Sequence, residues 1–154
     1  MYPASRCGVN AYARVGLETG VIAASPHKLI LMLFEGAQIA LASALTHSKG
    51  GQIAARGEAI SKAIAIINSG LQASLDIKAG GELAQQLNAL YEYMGRRLLQ
   101  ANFHDRPEYI EEVMRLLGEL HEAWEAIGSF GRSGEEGKGF SSVPHAGTAN
   151  LEKA

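Results

Sequence analysis

Cysteine is almost absent: Cys7 is the single one in 154 residues. That excludes an intrachain disulfide and fits a reducing compartment. No His or Asp adjoins Cys7, so it reads as a bystander and not as an activated thiol. Excess charge of either sign is also missing. The formal net charge of −2 leaves no electrostatic footprint for nucleic acid or an anionic membrane surface. Long apolar runs are lacking too. The longest, Leu29 to Phe34, falls far short of the ~20 residues a membrane span needs, so no membrane insertion is expected. The start Met1-Tyr2-Pro3-Ala4-Ser5-Arg6 has no basic region followed by an apolar run, so no signal peptide is read there and a cytosolic location is expected.

The constellations that carry chemistry are missing as well. A di-iron bundle needs paired Glu-x-x-His motifs, and none of His27, His47, His104, His121 or His145 has a Glu three residues before it. Glu119 and His121 lie about 200° apart around a helix, so they diverge. Zinc would require more Cys and His at ligand spacing. Gly137-Lys138-Gly139 lacks the earlier glycine and the following Ser or Thr of a phosphate loop. No Gly-x-Ser-x-Gly elbow supports a Ser-His-Asp triad. Neither catalysis, cofactor nor metal is therefore expected.

What the chain does have is helical periodicity in four stretches. The first opens at Ser25-Pro26, a capping residue followed by proline at the first helical position, and runs to about Thr46. The second runs from about Gln52 to Leu75, and the third from Glu82 to about Asn102 after the flexible turn Asp76 to Gly81. The fourth opens at Pro107, with Glu108, Glu111 and Glu112 in its first turns, and closes near Gly128. No stretch alternates in the strand manner. Short connections between such helices predict an all-α, antiparallel up-and-down four-helix bundle over residues 17–128. Residues 1–16 hold scattered Gly, Pro and Asn. Residues 129–154 are rich in Gly and Ser, with too little to bury to offset their ordering entropy, and are expected to be disordered.

Helix one is more apolar than a bundle requires. One stripe of roughly three residues in seven suffices, and Leu29, Leu33, Gly36, Ala37, Ala40 and Ala44 supply it. Leu31, Phe34, Leu41 and Leu45 add a second at helical spacing. In helix two, Ile53, Ile60, Ile64, Ile67 and Leu71 form one stripe, and Ala59, Ala63, Ile66, Gly70 and Ala73 a smooth second one. Two readings stand: other parts of the chain cover the surplus, or it forms a groove for a partner's amphipathic helix. Composition alone does not separate them. Trp124 continues the stripe Ile110, Val113, Leu117 and Leu120 and reads as core. Tyr91 and Tyr93 cannot both face inward, so one of them reaches the surface or a groove wall.

Several short segments recur in a fixed order. They are Ala11-Tyr12 with Val15, Ala24-Ser25-Pro26 before Lys28-Leu29-Ile30, and Met32-Leu33-Phe34-Glu35-Gly36. Lys62-Ala63 with Ile66-Ile67, Ser74-Leu75-Asp76 and Gly80-Gly81-Glu82 follow. Leu90-Tyr91-Glu92-Tyr93-Met94, Arg96-Arg97-Leu98 with Ala101-Asn102, Glu112-Val113 and Ala123-Trp124 complete the series. Over residues 11 to 127 the chain resembles the flagellin-specific export chaperone family, FliS.

The resemblance implies a small cytosolic four-helix bundle that binds the disordered C-terminal region of flagellin in apolar grooves, blocks its premature polymerisation and keeps it export-competent. It also implies an N-terminal segment acting as a lid on the empty site, with Tyr12 as its aromatic anchor and Val15 beside it. The partner-binding residues expected on this basis are Tyr12, Val15, Leu31, Phe34, Leu41, Ile66, Tyr91 and Asn102, the last either capping its helix or donating to the partner's backbone. A monomer or weak dimer is expected. The tail is left open as a linker or a site for a second partner such as the export machinery. The alternative is a non-catalytic bundle whose surplus apolar surface makes a homo-oligomer.

Overall fold

Residues 25–129 are described in a computed structural model of the chain. They form four helices, with no strand among the described residues. Helix α1 is Pro26–Lys49. Helix α2 is Ile53–Ala65, prolonged by a π-helical turn at Ile66–Leu71 and a 3-10 turn at Gln72–Ser74. Helix α3 is Ile77–Phe103, and α4 takes in residues 107–129. The chain divides into two units, Met1–His121 and Glu122–Ala154, and the packing below is that of the first. Tyr12, Val15, the expected lid and the expected tail lie outside the described residues, apart from Ser129.

Helices α1 and α3 begin at side-chain caps. Ser25 Oγ accepts from the Lys28 backbone N–H at 3.2 Å, with Pro26 in the first turn, as the sequence predicts. The α1–α2 reversal passes through Gly51 at φ +68°, where a Cβ would be disfavoured. The start of α3 differs from the expected Glu82. Asp76 Oδ1 accepts from the Ala79 N–H at 3.0 Å and caps one earlier turn, and Gly81 at φ 57°, ψ −136° then breaks the helix before it resumes.

Side-chain contacts fix the register. In α1 and α2, Leu33 meets Gly70 and Gly36 meets Ile66, while His47 pairs with Gln52 at 2.6 Å. In α2 and α3, Arg56 reaches Asn102 and Gln72 reaches Asn88. In α3 and α4, Tyr93 binds Glu112 and Arg97 stacks over Tyr109. Between α1 and α4, Gln38 Nε2 donates to the Met114 carbonyl at 2.7 Å, and the Phe34 and His121 rings lie 6.0 Å apart. In each pair with more than one contact, residue numbers rise on one helix as they fall on the other. The order α1–α2–α3–α4 closes back on α1, which is the antiparallel four-helix bundle the sequence predicts.

The core holds Leu41, Ile60, Ile67, Leu71, Met94, Leu98, Ile110, Val113 and Leu117, each under 2% exposed or nearly so. In α1 the buried face draws on both stripes, Ala37, Ala40 and Ala44 of the first being buried as well. Leu31, Phe34 and Leu41 of the second stripe are buried, whereas Leu29 of the first is 45% exposed. A single-helix pattern gives two candidate faces, and the neighbouring helices decide between them. By length and composition α1 is also long and apolar enough to cross a membrane. Here it carries six buried core residues, and its polar Gln38 is tied to α4.

Candidate functional site

Where α2 and α3 meet, a glycine on each helix faces an asparagine on the other. A Cβ built on Gly57 would stand 3.6 Å from Asn102 Nδ2, and one on Gly95 would stand 3.9 Å from Asn68 Oδ1. The seam between the helices opens outward as a groove. One depression of about 370 Å³ is lined by Ile64, Asn68 and Gln72 of α2 and by Glu92, Gly95, Arg96 and Leu99 of α3. A second, of about 360 Å³, shares Leu99 and continues along Asn102, Phe103 and His104. From Glu92 to Phe103 the α3 wall extends roughly 16 Å at about 1.5 Å per residue, room for about three turns of a docked helix.

The groove is neither dry nor wholly polar. Leu99 is 60% exposed and Phe103 84% exposed, the latter with its ring 5.0 Å from that of His104. Asn68, Gln72 and Asn102 offer amides between these apolar anchors. That mixture is what an amphipathic helix needs: apolar side chains to bury and a few polar groups to fix its register.

A buried guanidinium holds one end of the groove. Arg56, 5% exposed, donates from Nε to Asn102 Oδ1 at 3.1 Å and from Nη2 to the Asn102 carbonyl at 3.0 Å. Its Nη1 pairs with Asp105, which sits at φ +52° in the turn into α4. Asn102 therefore anchors Arg56 across to α2, a third role beside the two expected, while its carbonyl at the α3 C-terminus is satisfied by Arg56. At the opposite side of α3, Glu112 accepts from Tyr93 Oη and from Arg97, whose guanidinium stacks 3.7 Å over the Tyr109 ring. The Tyr93 hydrogen bond first, and then those of Arg97, hold the Glu112 carboxyl below the usual carboxylate range.

The other expected contact residues are placed elsewhere. Leu31, Phe34, Leu41, Ile66 and Tyr91 are at most 9% exposed, so they are core side chains here. Contact between any of them and a partner requires whatever covers it to move aside. Burial pushes the Tyr91 phenol up to about 12. Tyr93, not Tyr91, is the tyrosine that reaches the surface. Leu99 and Phe103 were not singled out from sequence, although a signal existed. Leu98 and Leu99 lie about 100° apart around a helix, so a narrow buried stripe through Leu98 leaves Leu99 outside it. Among the described residues no group of three His, Cys, Asp or Glu is placed to hold a metal ion.

Comparison with known proteins identifies the family of this all-α bundle. The family model described as flagellar protein FliS matches residues 8–130. The chain belongs to the FliS family. The flagellar secretion chaperone FliS of Salmonella typhimurium is 53% identical over 127 residues, covering 82% of this chain and 93% of that protein. The FliS of Escherichia coli is 44% identical, covering 80% and 90% of the two chains. That of Bacillus subtilis is 27% identical, with 79% and 90% covered. These FliS relatives are flagellar secretion chaperones by name.

Proposed function

We propose that this protein is a cytoplasmic flagellar export chaperone whose client is flagellin. The C-terminal region of flagellin would fold as an amphipathic helix along the α2–α3 groove, which keeps it from polymerising and leaves it competent for export. The observation that carries this reading is the exposure of Leu99 and Phe103 on the groove wall of a FliS-family bundle. Burying two large side chains that water now reaches is the main source of affinity, and the ordering cost of a disordered client moderates it.

Titration calorimetry with flagellin tests the assignment. Leu99→Asp and Phe103→Asp should each weaken binding at least about 10-fold, because a carboxylate would be desolvated in the interface. Their circular dichroism should be unchanged, since both positions are exposed. Unchanged affinity in both variants would remove the groove from the binding surface. The equivalent changes at Leu31 or Phe34 are poor tests, because a charge buried there should unfold the bundle.

A further inference from the structure

Some charged side chains on α3 and α4 are already paired. Arg97 pairs with Glu112 at 3.2 Å, and Arg115 pairs with Glu119 one turn along its own helix at 2.9 Å. Glu92 and Arg96 have the same one-turn spacing, with the acid on the N-terminal side, the favoured order for a pair within a helix. Yet they form no ion pair with each other, and neither has another ion-pair partner among the described residues. Both line the α2–α3 groove, where Leu99 and Ile64 supply the apolar floor. The groove thus presents an open negative charge and an open positive charge about one helical turn apart (roughly 6 Å along the axis) on one wall.

We infer that Glu92 and Arg96 are specificity-determining residues that read a complementary pair of charges on the docked client helix and so fix its direction. The inference rests on the groove being the client site. An amphipathic helix can lie in an apolar groove in either sense, since burial is non-directional. Charge order removes that degeneracy. A client with a basic residue over Glu92 and an acidic residue over Arg96 docks one way round, and the reversed helix places like charges together. The occupant is therefore an amphipathic helix with opposite charges about one turn apart beside its apolar stripe.

The test uses full-length protein and flagellin, with affinity measured by calorimetry at low and high salt for Glu92→Arg, Arg96→Glu, the double reversal and Leu99→Asp. Each single reversal should weaken binding about 5- to 20-fold, while the double reversal should bind more tightly than either, because the client helix can then dock in the opposite sense with its charges matched. Neutral Glu92→Gln and Arg96→Gln should lose only about 2- to 5-fold and flatten the salt dependence. All of these positions are exposed, so circular dichroism should not change. Single reversals that alter affinity less than 2-fold overturn the inference. So does opposite behaviour of the two, one tightening and one weakening, which would report a client of single-signed charge. If Leu99→Asp abolishes binding while the reversals do nothing, the groove stands and charge reading fails. If Leu99→Asp is also silent, the groove assignment itself has failed.

Discussion

Glu112 carries the one carboxylate shift that the side-chain geometry explains in full, and its consequence for stability has a definite sign. Hydrogen bonds from Tyr93 and Arg97 depress its pKa in the folded state. A carboxylate lowered by folding stabilises the protein above the ordinary carboxylate pKa and loses that contribution as pH falls through its folded value. Urea midpoints measured between about pH 7 and pH 3 should therefore drop more for the parent chain than for Glu112→Gln, and equal slopes would refute the assignment. Tyr93 is raised by the same bond, so its own contribution is lost only at alkaline pH, above the normal tyrosine range. Residue-level legibility was uneven. That one of Tyr91 and Tyr93 must face outward followed from helical geometry, and the structure shows which one. The burial of Arg56 had no local signal, because Asn102 and Asp105 lie 46 and 49 positions away and only the fold brings them near.

Among the elements, α3 shows where sequence patterning succeeds and where it stops. The Gly80-Gly81 pair marked a turn, and Gly81 does hold a conformation that side chains rarely adopt, while a Cβ on Gly80 would stand 2.6 Å from that of Ala84. Gly81→Ala should cost about 1–3 kcal/mol, read as a lower urea midpoint with an unchanged slope. A substitution without penalty would mean that the kink straightens. The π-turn in α2 was not legible. It adds a residue to the turn where Gly70 presses on Leu33, at 2.9 Å for a built Cβ. Such a bulge answers to packing on the neighbouring helix and leaves no mark in the 3.6-residue pattern. The same limit explains why both stripes of α1 could be named but not ranked, since Leu41 is fully buried and Leu29 is 45% exposed only because of where α2 and α4 lie.

For the molecule as a whole, helix number, order and antiparallel sense were all readable, because caps and glycine turns are local while the bundle follows from short connections. The proposed competition between residues 1–16 and the client belongs at this scale. Deleting those residues should raise flagellin affinity several-fold by calorimetry, and equal or weaker binding would argue against a lid. The closure of α1 on α4 through Gln38 and Met114 has a further consequence in time. Those two positions are separated by 76 residues, so at a synthesis rate of 5–20 residues per second the most apolar helix waits roughly 4–15 s for its final neighbour to be made. During that interval α1 is a nascent hydrophobic segment without its last covering helix. Helix α1 should therefore depend, while the chain is still on the ribosome, on being shielded until α4 has emerged.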